Sequence, residues 1–460
     1  MKRSILSLLA VLVCGGCDLG PDYHRPAMQQ PQAWQDAGVP AARWPEAAWW
    51  KAFGSPQLDA LIDRAMQDNT DLAAATARIE QADGQARQAG AALLPSVGLG
   101  GNVGPARSLS LLGKERHRID YEGVVQASYE LDFWGKNRAW LEGARATAQA
   151  SRYARQVVAL STEAAVAGAY FQYLAFRDQA AAAQRNLKQA RRTLDGLSAM
   201  RAAGTIPELD LVQQRTIVGQ LTAAVPPLEQ QAEHMRIALA ILVGVLPEDL
   251  SLRPERLADL RSPPVIAGLP SGLLARRPDV RAAEADLMAA NANVKMARAA
   301  FFPSIDLTAQ GGIETYALTH YTVPPLGIYS LAASLSQPIF EGGRLRGQLN
   351  VAEGRYEELL QAYRKTALSA FGDVEDALSA TTQTSREQQA QDMAAGNAAQ
   401  SYAMAQEAYR GGTTTILNIL TAEGALATAQ GAQIQAQQAH LQAVLGVYQA
   451  LGGGWSGGTE

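Results

Sequence analysis

Several things are scarce in this chain. Two cysteines among 460 residues exclude a disulfide scaffold and any zinc module that needs several thiolates. Charge of one sign is also missing. Lys and Arg number 40 against 44 Asp and Glu, a net of −4, so no basic excess exists to neutralise phosphates and a nucleic-acid binder is excluded. Aromatics make up 6% while hydrophobic residues make up 47%, so the apolar share is largely alanine, which favours long helices over bulky cores. Beyond the N-terminus no long apolar run occurs: residues 237–246 are the best, about half of the roughly 20 a membrane helix needs. A chain of this kind crosses a membrane only as a β-barrel, because lipid offers no partners to open backbone polar groups.

Catalytic constellations are missing as well. His24, His117, His234, His320 and His440 lie far apart, with no metal-ligand spacing. The glycine-rich run from Gly98 to Gly104 lacks the following helix of a phosphate cradle, and small residues in a barrel strand account for it. Gly113-Lys114 and Gly135-Lys136 lack the other Walker positions, and no Gly-x-Ser-x-Gly occurs. Glu375-Asp376 falls in a helical stretch and reads as a solvated face. The expectation is a protein that is not an enzyme, holds no metal or diffusible cofactor, and moves material passively or through a partner.

What is present begins at the N-terminus. Lys2 and Arg3 precede an apolar run from Ile5 to Val13 and then Cys14-Gly15-Gly16-Cys17, the layout of an export signal. Gly15 and Gly16 before Cys17 resemble a bacterial lipobox, which makes Cys17 the lipidated first residue, carrying an N-acyl group and an S-diacylglycerol. Cys14 stands where leucine is usual. Asp18 resembles the inner-membrane retention signal of some lipoproteins, so sorting does not rest on this tripeptide.

The 21 prolines avoid two intervals, Pro105 to Pro207 and everything after Pro338. Proline inside a helix costs about 3 kcal/mol, so these are the places for long helices. Tyr153, Val157, Leu160, Ala164, Ala167, Phe171 and Leu174 recur by fours and threes, as do Tyr356, Leu360, Tyr363, Ala367, Ala370, Val374 and Ala377. A helix from about Asn137 to Ala203 would be roughly 100 Å long, a rod no globular domain can use.

The halves also match. Ala91 to Val97 aligns with Ala299 to Ile305 at an offset of 208, and Gly204-Thr205 with Leu209 aligns with Gly412-Thr413 and Leu417 at the same offset. Phe133-Trp134 and Arg138 align with Ile339-Phe340 and Arg344 at 206. We read a tandem duplication joined through a proline-rich stretch near 246–279. Each half holds strand-like zones, 96–100 and 124–133, then 304–309 and 328–337, joined by polar loops 104–120 and 311–327. Their period-two alternation suits a barrel wall with one face in lipid, and also suits two surface hairpins. Four strands cannot close a membrane barrel, whose minimum is about eight, so several chains must share one. Symmetry permits two chains or three.

Further motifs carry a family resemblance. Gly20-Pro21-Asp22-Tyr23-His24-Arg25-Pro26 is followed by Trp49-Trp50 and by Phe53-Gly54-Ser55-Pro56-Gln57-Leu58. Then come Arg276-Arg277-Pro278-Asp279-Val280-Arg281-Ala282-Ala283-Glu284, Gln337-Pro338-Ile339-Phe340-Glu341-Gly342-Gly343-Arg344 and Ala450-Leu451-Gly452-Gly453-Gly454-Trp455. In this order they resemble the TolC-family outer-membrane efflux lipoproteins of the OprM/NodT-like branch. The resemblance implies a mainly α fold with four β-strands per chain, a homotrimer with a twelve-stranded barrel, and long antiparallel helical hairpins forming a periplasmic tunnel. It implies a passive exit duct for drugs or other small molecules, working with a periplasmic adaptor and an inner-membrane transporter of the resistance-nodulation-division class. The alternatives are the outer duct of a type I protein secretion system and a periplasmic coiled-coil lipoprotein without a pore.

The implied division is a signal peptide at 1–16, a lipidated extended segment at 17–57, a first efflux repeat at 58–246, an equatorial linker at 247–278, a second repeat at 279–451 and a Gly-rich tail at 452–460. The family's periplasmic gate aligns with Asp210, Tyr409, Thr414, Asn418 and Thr421. Asp210 and Tyr409 match the family pattern. Thr414 stands where the founding member has a basic residue, and Asn418 and Thr421 where it has aspartates, leaving Asp210 and Glu423 as the nearby acids. The expectation is a gate held by hydrogen bonding and packing rather than salt bridges, with weak cation preference.

Overall fold

Proline placement and helix placement coincide. The computed structural model describes residues 20, 22–35, 44–109, 115–265, 268, 270–315 and 326–454. The signal peptide with Cys14, Cys17, Asp18, Gly113-Lys114 and the tail beyond Gly454 lie outside them. Helix α1 (Pro56–Asp68) has proline in its first turn, and the Ser55 hydroxyl at its N-cap accepts the Leu58 N–H at 3.1 Å. Asn69 then caps α2 (Thr70–Ala91), its Oδ1 accepting the N–H groups of Asp71 and Leu72 at 2.9 and 3.1 Å. Helix α3 (Lys136–Ala202) fills the first proline-free interval with 67 residues, about 100 Å of rod. The Asp132 carboxylate fixes its start, accepting the N–H groups of Asn137 and Arg138, both at 2.9 Å.

Helix α4 (Glu208–Val243) breaks the proline rule, for Pro226 and Pro227 sit in its interior. Neither has an N–H, so two rungs of the helical hydrogen-bond ladder are missing. The second half supplies the short α5 (Pro270–Arg276), then α6 (Pro278–Ala299), α7 (Arg344–Arg410) and α8 (Ile416–Ala450). The α8 sequence contains no proline.

The four strands are β1 (Ser96–Leu109), β2 (Glu115–Glu130), β3 (Ser304–Thr315) and β4 (Leu326–Ser336), in one antiparallel sheet ordered β1-β2-β3-β4. They run further than the sequence suggests. Strand ends occupy Gly104–Leu109, Glu115–Asp120 and Gly311–Thr315, all expected as loop, because glycine and charged residues there blur the alternation that marks a strand.

Elements of the second half begin 208 residues after their counterparts: Thr70 and Pro278, Ser96 and Ser304, Lys136 and Arg344, Glu208 and Ile416. Gly135 and Gly343, at φ +75° and +90°, precede the two long helices at the same spacing. The counterpart of Arg344 is therefore Lys136, not Arg138 as the 206-residue offset implied.

Two compact units are present, and each draws on both halves of the chain. One comprises Ala77–Arg152, Ala282–Arg364 and the described part of 1–27, and contains the sheet. The other comprises Met28–Thr76, Tyr153–Arg281 and Lys365–Glu460 within the described residues. Its main core packs Trp49, Phe53, Leu58 and Ile62 against Ala167, Tyr170, Phe171 and Leu174 of α3 and Leu441, Val444 and Leu445 of α8. Ala164, Ala167, Phe171 and Leu174 of the first stripe are buried there, and Tyr363, Ala367, Ala370 and Val374 of the second are buried in α7. The outer members of each stripe are half-buried.

Among the described residues, no helix is long and apolar enough to cross a membrane.

Candidate functional site

The sheet register sorts chemistry onto two faces. Glu122 pairs with Asn102 and Glu314, Gln126 with Gly98 and Gln310, and Ser128 with Ser96 and Thr308, so these residues share one face. Gln310 Nε2 donates to Glu122 Oε1 at 3.1 Å across it. The opposite face carries Leu99, Val125, Ile313, Tyr329, Leu331 and Leu335, all exposed, with Tyr329 at 86% and Leu99 at 84%. Large apolar side chains exposed along one face of a twisted sheet describe a lipid-facing wall, and the polar face is then the water-facing side. At the sheet's base the Trp134 and Phe302 rings lie 4.9 Å apart, and the indole N–H donates to the Pro303 carbonyl at 2.8 Å.

Among the described residues, strands β1 and β4 each have a single partner, leaving two open edges. In hydrocarbon each unpaired backbone group costs several kcal/mol, so the wall closes only against edges of further copies. Three copies supply the twelve strands of a closed barrel.

The residues aligned with the periplasmic gate lie where α3 meets α4 and where α7 meets α8. The two turns are built alike. Gly204 and Gly412 hold φ of +74° and +69°. The hydroxyls of Thr205 and Thr413 donate back to Met200 O at 2.8 Å and Ala408 O at 3.0 Å. Asp210 is half-buried in the first turn of α4, where a carboxylate suits the helix N-terminus. Tyr409, on the last turn of α7, faces it: burial and then the Asp210 charge push its phenol up. The Tyr409 hydroxyl donates to Met200 Sδ at 3.9 Å.

Asn418 Nδ2 donates to Thr414 Oγ1 at 2.5 Å, while the Thr421 hydroxyl turns back to its own helix at Leu417 O, 2.8 Å away. Of the five residues, Thr414 and Asn418 are joined by a hydrogen bond, Asp210 acts on Tyr409 through its charge, and Thr421 bonds only within its own helix. Ion pairing at this end involves other residues: Glu208 meets Arg201 at 2.9 Å and Arg215 at 3.9 Å. Glu423, the other acid near the gate positions, is buried, at 4% exposure.

Other motif residues prove to be clamps. Glu284 takes Arg25 in a bidentate pair, Nε to Oε1 at 2.6 Å and a second contact from Nη2 to Oε2, so two motifs separated by most of the chain lock together. Arg277 gathers Asp279 at 2.6 Å, Asp373 at 2.9 Å and the carbonyl of Ala450 at 3.1 Å, tying α6 to α7 and α8. Glu375 is not merely a solvated face, since its carboxylate accepts the Gln35 backbone N–H at 3.2 Å. Periodicity could not find these residues. The only sequence signal was the motif spelling itself.

The comparisons with known proteins fit this geometry. The family model described as outer membrane efflux protein matches twice, over residues 61–245 and 269–453. The pyoverdine export outer membrane protein OpmQ of Pseudomonas putida is 40% identical over 434 residues, 92% of each chain. Its namesake from Pseudomonas aeruginosa is 37% identical, covering 99% of this chain and 98% of its own. Among solved structures, the open state of the MtrE outer membrane channel of Neisseria gonorrhoeae superposes with a TM-score of 0.85. That channel is 32% identical, with 95% of this chain and 98% of that one covered. Matched in both halves and nearly from end to end, the chain belongs to the outer membrane efflux protein family and is an outer-membrane channel.

Proposed function

We propose that this protein is the passive outer-membrane duct of a tripartite pump, releasing small organic molecules from the periplasm to the exterior. Three copies share one barrel, and the helical hairpins receive a periplasmic adaptor and an inner-membrane transporter of the resistance-nodulation-division class. The observation that carries this reading is the open-edged four-stranded sheet with one apolar and one polar face, in a chain that also holds two helices of 67 residues. The relatives named for pyoverdine export favour a small-molecule cargo over a secreted protein. Cys17 carries an N-acyl group and an S-diacylglycerol, which anchor the N-terminus in outer-membrane lipid.

The gate in this reading is held by Asp210, Tyr409, Thr414, Asn418 and Thr421 through hydrogen bonds and packing. With neutral Asn418 and Thr421, it carries no ring of acids at those positions and prefers cations only weakly. The test is the purified full chain in planar bilayers and on unheated gels. Discrete ion conductance and a trimer band that collapses on boiling are expected, and a monomeric, non-conducting protein would refute the duct. Strong multivalent-cation block that disappears in Asn418→Ala would refute the gate as described.

A further inference from the structure

Glu423 is an unusual residue to find where it sits. Helix α8 buries it to 4% exposure, next in sequence to Ala422 of an apolar cluster that also holds Leu197 from α3, Leu211 from α4, Tyr402 from α7 and Ile419 and Leu420 from α8. Neither of its carboxylate oxygens has a hydrogen-bond partner among the described residues. The amide of Gln214, fully buried on α4, lies against it. Gln214 Nε2 is already donated to the Ala190 carbonyl of α3 at 2.9 Å, and its Oε1 also has no partner. Both carboxylate oxygens of Glu423 and the Oε1 of Gln214 are therefore buried without a hydrogen-bond partner among the described residues, a costly arrangement if the carboxyl is charged.

We propose that Glu423 is a proton-binding site: the neutral carboxyl donates its O–H to Gln214 Oε1 and so fastens α8 to α4 beside the gate end. The proton comes from bulk water and returns to it, and no bond between heavy atoms changes. Acid then tightens this packing, and rising pH slackens it by leaving an unpaired charge in an apolar cluster. Burial drives the carboxyl above the ordinary carboxylate range, against the opposing pull of the Gln214 amide.

Few ionisable groups face the site. From α7 the phenol of Tyr402 faces it, and burial and then the Glu423 charge push that phenol up, so it stays neutral. From α4 comes only the neutral Gln214, and the charge of Asp210 on that helix acts on Tyr409 instead. The groups supplied by α3, the Ala190 carbonyl and Leu197, do not titrate. No described cation acts on the carboxyl to hold it ionised. The sign follows from linkage: a group that binds its proton more tightly when packed stabilises the packed form below its packed-state pKa and loses that contribution above it.

The experiment is hydrogen exchange on the purified full-length protein, followed in peptides covering 208–217 and 416–426 and corrected for the intrinsic pH dependence of exchange. It is independent of transport and of any pump partner, so failure of the duct reading leaves it intact. From about pH 5 to about pH 8 the wild-type protection in both peptides should fall by up to about tenfold for each unit by which the proton is held more tightly. In Glu423→Gln it should stay at its acid level throughout. Glu423→Met, of similar volume and also uncharged, carries the same expectation if the glutamine variant does not assemble. Flat protection in the wild type, or the same pH dependence in a neutral variant, would overturn the proposal.

Discussion

Glu163 shows how one side chain sets a pH response. Its carboxylate accepts the Trp49 indole N–H at 3.1 Å, yet burial outweighs that bond and raises it to about 7. The folded protein holds this proton more tightly than an unfolded chain, where the value is near 4.3. The group's contribution is therefore fully present below the unfolded value and fades as pH rises through 7. Glu163→Gln keeps an acceptor for Trp49 and removes the charge. It should gain roughly 3 to 4 kcal/mol near pH 8 and only about 1 kcal/mol near pH 5, read as unfolding temperature in detergent. Equal shifts at both pH values would contradict this. None of it was legible in the sequence. Glu163, Glu284 and Glu423 lie in helices whose spelling shows apolar spacing, and nothing local distinguishes a carboxylate pointing inward from one in water. Arg277 and Glu284 were visible only as letters of a motif, without the clamps they make.

At the scale of elements, the paired turns give a clean test of backbone conformation. Gly204 and Gly412 lie in the left-handed region, and a Cβ added to either would meet nothing within 4 Å. Alanine there changes only the backbone term, about 1 kcal/mol for each. Gly204→Ala should speed amide exchange roughly fivefold over residues 205–211, and Gly412→Ala should do the same over 413–419. Unchanged exchange in either variant would mean that the turn is not held by its glycine. The long helices were legible because proline is absent from α3 and α7 and the apolar spacing persists through both. Strand ends were not, since Gly104 and Gly311 contribute no side chain to an alternating pattern. Helix α4 would have been cut at Pro226 by the same rule that found α3. Packing of its buried face, with Gln214, Val225 and Ala232, carries the chain through that gap.

For the whole molecule, assembly depends on the register of a single sheet. A Cβ on Gly312 would lie 2.1 Å from the Gly123 carbonyl oxygen, whereas one on Gly311 would meet nothing within 4 Å. Gly312→Val should keep β2 from closing on β3 and abolish the boil-sensitive trimer band, while Gly311→Ala should keep it. Loss in both, or in neither, would show that this close approach does not govern assembly. The need for further copies was legible from strand number and lipid chemistry alone; the count of three came from family likeness. The 208-residue repeat was legible too, although an error of two residues at Arg138 hid the true helix start at Lys136. The two copies are not duplicates in mechanics, however. Helix α4 lacks two consecutive rungs at Pro226 and Pro227, and α8 lacks none to proline. Load applied lengthwise should therefore meet a more compliant joint in the first-half arm than in its second-half counterpart, so duplication need not have left two mechanically equal limbs.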